Sequence, residues 1–482
     1  MLLTALIVAT TYWQAWAAPD LKAKQDNAIQ RVVQFTIARG LIYGSGGNVV
    51  FAANKKVKKK GAQTLFFRRY PSGGLAAQTI GYSTAARSQT GLEESMNDYL
   101  TGSNTDLSNA FHNLLGRLGQ ATVHGDSLRL TIRPGVQRLA QRLLGNQCGA
   151  VVAMDVKTGA VYVMASSPTY DPNLIESAGG YAKVLHIQGA CHGSSALYNR
   201  ATQGLFTPGS TFKIVTAAAA LDTGAFTPSS GFTDPGYCEE YGQKVYNSGN
   251  PDQGGHEVFG HLNLAAGFQH SVNSVFCNIG KQIGAKTIID YAKKFGFYRS
   301  PPIETPANER FASGMYKGTH LDDNASKADP GRLAFGQWTM LATPLQMTMV
   351  AAAVANGGVV PKPYLVQKIV GPDGSTIKNT RPRSLGRAIK PETAAQLTQM
   401  MVSVVQGGTG TAAQIPGVAV AGKTGTAETA VDKVYNAWFV CFAPADHPRY
   451  AVGVVLEKQL NGFGGSVSAP IAKQVLEGLL GR

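Results

Sequence analysis

The sequence predicts an α+β protein in two parts, a mostly β N-terminal module followed by a larger domain that mixes hairpins with helices. Three observations carry that prediction. From Lys22 to about Gly125 the pattern is short and broken, with strand-like pieces such as GSGGNVVFA and LFFRRYPSGGLAAQTIGY between Gly-rich turns. From about Asp126 the style changes: SLRLTIRPGVQRLAQRLLG reads as a strand, a proline break and an amphipathic helix. With 482 residues, 44% hydrophobic and 15% charged, the chain is globular and long enough for two or three domains. The expected boundaries are 1–18 for a membrane anchor or signal segment, 19–125 for the N-terminal module and 126–482 for the second domain.

Taken in order, MLLTALIVATTYWQAWAAPD is apolar from Leu2 to Ala9 and mixed thereafter. The about 17 residues to Ala18 would span about 25 Å as a helix, short of the roughly 30 Å hydrocarbon core. They read either as a signal peptide cut after Ala15-Trp16-Ala17 or as a single anchor, and both place the remainder outside the cytoplasm. No Lys or Arg precedes the run, which points to a recorded start inside a longer segment. A helix is expected at Gly91 to Leu100. The net charge of +15 includes Lys55, Lys56, Lys58, Lys59 and Lys60 in ANKKVKKKG. No nucleic-acid reading motif accompanies them, so the cluster is expected to be a solvated hairpin tip facing an anionic surface, with no nucleic-acid partner. The five cysteines, 148, 191, 238, 277 and 441, have no metal-ligand spacing. Four of them can form bridges whose connectivity is unreadable, and Cys441 in AWFVCFAPA is expected to be a buried hydrophobe. No metal or cofactor is called for.

In the second part, GAVVAMDVKTGAVYVMASSP is expected to be a hairpin with Asp155 to Gly159 at its turn, which makes Lys157 a solvated charge. In NRATQGLFTPGSTFKIVTAAAALDTGAF, a break at Thr207-Pro208-Gly209 precedes apolar residues at helical spacing, ended by Thr223-Gly224. Ser210 and Lys213 thus fall three residues apart on the first helical turn. A serine is a weak nucleophile until a base takes its proton, and a lysine held neutral can do so, while the helix start offers N–H groups for an oxyanion. Ser-x-x-Lys recurs at Ser375/Lys378, but Pro-Asp-Gly before it and Arg-Pro after it mark a hairpin tip. Ser-x-Asn occurs at Ser95/Asn97, Ser248/Asn250 and Ser271/Asn273, of which only the last opens a long helical pattern after the first motif. Lys-Thr-Gly occurs at Lys157 and again at Lys423, the latter as Lys423-Thr424-Gly425-Thr426 in the strand-like VAVAGKTGTAETA.

The ordered set Ser210/Lys213, Ser271/Asn273 and Lys423 to Thr426 resembles the three motifs of penicillin-binding proteins and related serine acyltransferases. PTYDPN, LYNRATQGLFTPGSTFK, GQWTMLATPLQMTMVAAAVANGG and APIAKQVLEGLL extend the resemblance to the class B peptidoglycan transpeptidases over most of 126–482. RGLIY, RRYP, IGY and GLEESMNDYLTG resemble that class's non-catalytic N-terminal region, with the penicillin-binding protein A type of actinobacterial cells as the subgroup most resembled. The sequence departs from the class at Gly44-Ser45-Gly46-Gly47, a local turn where the family often has Asp-Arg-Asn-Gly.

The resemblance implies a serine acyltransferase fold, an antiparallel sheet flanked by helices. It implies D,D-transpeptidation of peptidoglycan stem peptides ending in D-Ala-D-Ala, acylation by β-lactams and a membrane glycan polymerase as partner. Ser210 would be the nucleophile, Lys213 its base, Ser271 a proton relay and Asn273 a holder of Lys213 and the peptide amide. Backbone N–H groups of Ser210 and Thr426 would form the oxyanion hole. Lys423 and Thr424 would take the terminal carboxylate, and Gly425 would permit close backbone approach. Simple helix capping by Ser210, or by Ser271 and Asn273, is the plain alternative. D,D-carboxypeptidase, β-lactamase and non-turning sensor or scaffold remain as other functions, although no Glu is placed for β-lactam deacylation.

Overall fold

A computed structural model describes residues 35–58, 64–85, 88–103, 124–191, 193–248, 257–429, 431 and 433–482. The expected anchor at 1–18 and the lysines at 59 and 60 lie outside the described residues. Among the described residues no helix is long and apolar enough to cross a membrane.

The chain divides into two units. The first runs to Leu130 and takes in two later segments, Asp171–Lys183 and Lys368–Asn379. A six-stranded sheet has the order Thr376–Asn379, Val366–Val370, Ser127–Leu130, Ile42–Tyr43, Val50–Val57, Leu65–Arg69, and all of it but Val366 and Gln367 falls in this unit. The helix expected over Gly91 to Leu100 is two short helices, Gly91–Ser95 and Asn97–Thr101, with Met96 between them. Its Glu93 is fully buried and accepts from Arg39 at 2.9 Å and from Arg68 at 2.7 Å. A buried carboxylate survives only with such compensation, so this pair of arginines fixes the helix against the sheet. Lys55 and Lys56 are exposed, near the end of their strand. Ser375 stands in the exposed turn of the hairpin that returns to this unit, with its N–H on Asp373 Oδ1.

The second unit begins with α1 (Pro134–Leu144), opened by a proline whose missing N–H costs nothing at the first helical position. β1 (Gly149–Asp155) and β2 (Val161–Ser167) follow as the expected hairpin. Next come α2 (Lys213–Asp222), buried at every residue, and three short strands, β3 (Gly231–Asp234), β4 (Tyr237–Glu240) and β5 (Gln243–Tyr246). α3 (Asn273–Lys294) is interrupted at Gly284, whose φ of 78° is non-helical. After α4 (Pro344–Ala355) and α5 (Pro391–Gly407), the chain forms β6 (Ala421–Glu428), β7 (Val434–Ala443) and β8 (Tyr450–Leu460), and it closes with α6 (Ala469–Leu480).

The main sheet has the order β6-β7-β8-β1-β2 and is antiparallel throughout. Alternation along its strands feeds two cores. Val151, Ala153, Val452 and Val454 pack with Val136, Ala140, Val475 and Leu476 of α1 and α6. On the other face Gly453 lies so close to α4 that a Cβ there would sit 2.3 Å from Thr348 Oγ1. The fold is therefore the antiparallel sheet flanked by helices that the resemblance implied. Cys148 is bridged to Cys191 and Cys238 to Cys277, and Cys441 is free and buried in β7. Trp438 and Phe439 are core residues of β7.

Candidate active site

The first motif sits where the chain turns into α2. The sequence predicts an α-helical turn at Ser210; the structure has a 3-10 turn, Gly209–Phe212, and the α-helix starts at Lys213. The turn is tightened by the Thr211 hydroxyl, which donates to the Pro208 carbonyl at 2.8 Å, and by Gly209 N–H, which donates to the Gly336 carbonyl at 3.1 Å. In a 3-10 turn residues i and i+3 eclipse, so Ser210 and Lys213 project on one side. Ser210 is half-buried, and its hydroxyl makes no hydrogen bond to the neighbouring polar groups among the described residues.

Lys213 is fully buried and does reach the second motif. Its Nζ donates to the Ser271 carbonyl at 2.6 Å and to Asn273 Oδ1 at 2.8 Å, and lies 3.3 Å from Ser271 Oγ. Ser271 achieves this by adopting φ 62°, a left-handed conformation uncommon for serine, stabilised by Val272 N–H on the Gly267 carbonyl at 2.8 Å. Capping does not explain either serine. The residue at the cap of α3 is Val272, and no side chain caps the turn at Ser210. Asn273 opens α3 and donates from Nδ2 to the Tyr246 carbonyl at 3.1 Å.

The third motif lies on β6, the edge strand of the main sheet. Lys423 is fully buried, and its Nζ donates to Ser271 Oγ at 2.9 Å and to the Thr424 carbonyl at 3.2 Å. Two lysines thus converge on one serine hydroxyl. Among the described residues their neighbours include rings: Lys213 Nζ is 5.2 Å from the centroid of Phe276, and Lys423 Nζ is 5.6 Å from that of Phe268. Desolvation consequently holds the Lys213 amine well below the ordinary lysine range, and the charge of Lys423 lowers it further. Burial alone pulls Lys423 down to about 7.

Gly425 makes room for the protein's own backbone. A Cβ there would sit 2.7 Å from the Pro208 carbonyl oxygen and 2.9 Å from Thr211 Cγ2, so its bare backbone is what lets the Ser210 turn pack on β6. On the other side of the contact, a Cβ on Gly209 would lie 3.1 Å from the Thr426 carbonyl oxygen. Thr426 Oγ1 accepts from Gly464 N–H at 3.4 Å. Thr424 shares a hydrogen bond of 2.5 Å with the Thr409 hydroxyl, a partner the motif reading missed. Its signal was the Gly-rich QGGTGTA, which reads as a loop and has no spacing that ties it to β6.

The structure therefore brings Lys213, Ser271, Asn273 and Lys423 into one hydrogen-bonded cluster, with Ser210 at the turn that leads into it. Other copies fall elsewhere: Lys157 is exposed in the β1–β2 turn, and the Ser95 hydroxyl is spent on the Gly91 carbonyl within its own helix, while Asn250 of the Ser248 copy lies outside the described residues. Residues 149–477 match the penicillin binding protein transpeptidase domain model, about two thirds of the chain. The chain belongs to the penicillin-binding protein transpeptidase family. A second match, to the penicillin binding protein A dimerisation domain, covers residues 39–127. Peptidoglycan D,D-transpeptidase PbpA of Mycobacterium tuberculosis is 31% identical over 99% of this chain and 96% of its own length. The structure of penicillin-binding protein A from M. tuberculosis as a ceftriaxone acyl-enzyme complex superimposes with a TM-score of 0.80 at 31% identity, covering 92% of this chain and 99% of that one. Its penicillin G acyl-enzyme complex gives 0.76, at the same identity and 92% of this chain. This penicillin-binding protein thus has close structural neighbours that are acylated by β-lactams.

Proposed function

We propose that this penicillin-binding protein is a peptidoglycan D,D-transpeptidase that works through an acyl-enzyme on Ser210. One observation carries the site assignment: a buried lysine, Lys213, is held by the Ser271–Asn273 step one helical turn from Ser210, with a second buried lysine on the same hydroxyl. A neutral amine has two N–H donors and one lone pair. The two short bonds from Lys213 use both donors, on the Ser271 carbonyl and Asn273 Oδ1, which leaves the lone pair to take a proton.

Ser210 Oγ attacks the carbonyl of the penultimate D-Ala and its proton passes to Lys213. The N–H groups of Ser210 and Thr426 hold the tetrahedral oxyanion. Collapse breaks the peptide bond, and Ser271 relays the proton held by Lys213 to the departing terminal D-Ala amine, leaving a Ser210 ester. An amine of a second stem peptide then attacks the ester, forms the crosslink and restores the Ser210 hydroxyl. Lys423 and Thr424 bind the terminal carboxylate in the first step, and that binding favours the charged form of Lys423. A β-lactam follows the same first step, but its leaving nitrogen stays tethered through the ring, so the ester persists.

Residues 1–18 act as a membrane anchor or signal segment, 19–125 as the non-catalytic module and 126–482 as the transpeptidase, which works outside the cytoplasm beside a glycan polymerase. The sequence similarity to cell-wall transpeptidases and the extracytoplasmic chemistry of the substrate support this arrangement. Purified protein supplied with a D-Ala-D-Ala stem peptide and an amine acceptor tests the function. Release of D-Ala with amine-dependent crosslinked product is expected. Release to water alone would make it a carboxypeptidase, turnover of penicillin a lactamase, and no product a scaffold.

A further inference from the structure

Resting on that reading, we infer that Asp234, a residue outside all three motifs, is a positioning residue that sets the Ser271–Asn273 step against Lys213. The first turn of α3 needs such a device. A helix start leaves backbone N–H groups without intrahelical partners, and the residue at its cap is Val272, whose side chain can accept nothing.

The missing acceptors come from the strands that precede it. Asn247 Oδ1 accepts from Ser274 N–H at 2.9 Å, and Asp234 Oδ1 accepts from the Ser274 hydroxyl at 2.6 Å. Asp234 Oδ2 in turn accepts from Asn247 Nδ2 at 2.8 Å, which fixes the orientation of that amide. Gly236 N–H and Phe259 N–H, each at 2.9 Å, complete the set on Asp234. All three side chains are buried, Asp234 and Ser274 at 1% exposure and Asn247 at 3%.

The same dipeptide grips the active side of the turn. Tyr246 accepts from Asn273 Nδ2 through its carbonyl, while Asn247 accepts from Ser274 N–H through its side chain. Tyr246–Asn247 therefore clamps Asn273–Ser274 at two points, and Asp234 anchors the clamp to β3. The Cys238–Cys277 disulfide ties β4 to α3 one turn further on. Asn273 Oδ1, 2.8 Å from Lys213 Nζ, is then where the sequence-distant carboxylate acts on the chemistry. Every partner of Asp234 among the described residues is a donor, so Asp234→Asn sets an amide NH2 against a donor at an unchanged volume, and the clamp loosens.

The test measures second-order acylation by a fluorescent penicillin in four folded proteins: unsubstituted, Asp234→Asn, Asn273→Ala and the double variant. Asp234→Asn is expected to slow acylation roughly tenfold to a hundredfold, the cost of misplacing a reacting group by a fraction of an ångström. In the Asn273→Ala background the same substitution is expected to change the rate less than about twofold, because the residue it acts through is gone. Ser274→Ala, which removes one hydroxyl, is expected to repeat the pattern at smaller size and decides the matter if Asp234→Asn does not fold. Equal losses in both backgrounds, or no loss in either, would overturn the inference. Acylation of the unsubstituted protein separately reads the functional assignment.

Discussion

The tripeptide Lys-Thr-Gly occurs twice in one sheet, in the turn between β1 and β2 and in β6 at the opposite edge. In the turn, Asp155 Oδ1 accepts from the N–H groups of Lys157 and Thr158 at 3.0 and 2.8 Å, and the Lys157 ammonium is left to water. In β6 the ammonium is buried beside a second lysine. The glycines differ as well. Gly159 is required by its φ of 81° and by a Lys362 carbonyl 2.1 Å from any Cβ, whereas Gly425 is required by the Ser210 turn packed on it. The same three residues thus serve turn geometry in one place and, in the proposed mechanism, acyl transfer in the other. The difference lies in what the surrounding chain desolvates.

The contrast breaks most severely if the partner lysine is altered. Lys213→Arg, which keeps a charge but cannot give up its proton, is expected to lower the acylation rate about a thousandfold. Measurable turnover at a tenth of the normal rate would remove Lys213 from the role of base. Next in size is Gly425→Ala. Its methyl would push the Ser210 turn away from β6, and a loss of about a hundredfold is expected in a protein that still melts cooperatively.

A smaller effect is expected for Lys423→Arg, roughly tenfold, because the charge remains and only the geometry suffers. Its pH profile sharpens the comparison. Burial pulls Lys423 down to about 7. Carboxylate capture needs its charged form, which is present below that pH, so the second-order rate should fall as pH rises through about 7. In Lys423→Arg that decline should vanish, since a guanidinium stays charged. A decline that persists in the variant would assign it to another group.

The smallest effects belong to the turn copy. Gly159→Ala should cost about 1–3 kcal/mol of stability from backbone strain while the folded fraction acylates at the normal rate. Lys157→Ala should change stability by less than about 0.5 kcal/mol and acylation not at all. Thermal melts with penicillin labelling check both. A catalytic collapse in either would mean that the two copies had been assigned the wrong way round.

Local pattern was enough to separate these copies, because a polar segment ending in Gly between two apolar runs marks a hairpin whatever the rest of the chain does. It also located α2, the β1–β2 hairpin and the burial of Cys441. What escaped depends on contacts between distant residues. The 3-10 turn at Ser210 is set by the Gly336 carbonyl, the left-handed Ser271 by the chain at Gly267, and the disulfide pairing by how β4 lies on α3. Segments 171–183 and 368–379 return to the first unit, although nothing in their composition marks them as part of it. Gly425 was legible as a tight backbone, but what packs on it was not.

In the proposed mechanism Ser210, at the turn that leads to two buried lysines, is the nucleophile. Peptide mapping of the protein after reaction with a labelled penicillin tests it most directly. A single labelled peptide carrying the ester on Ser210 is expected; label on Ser375 in its exposed hairpin, or on Ser271, would overturn the assignment.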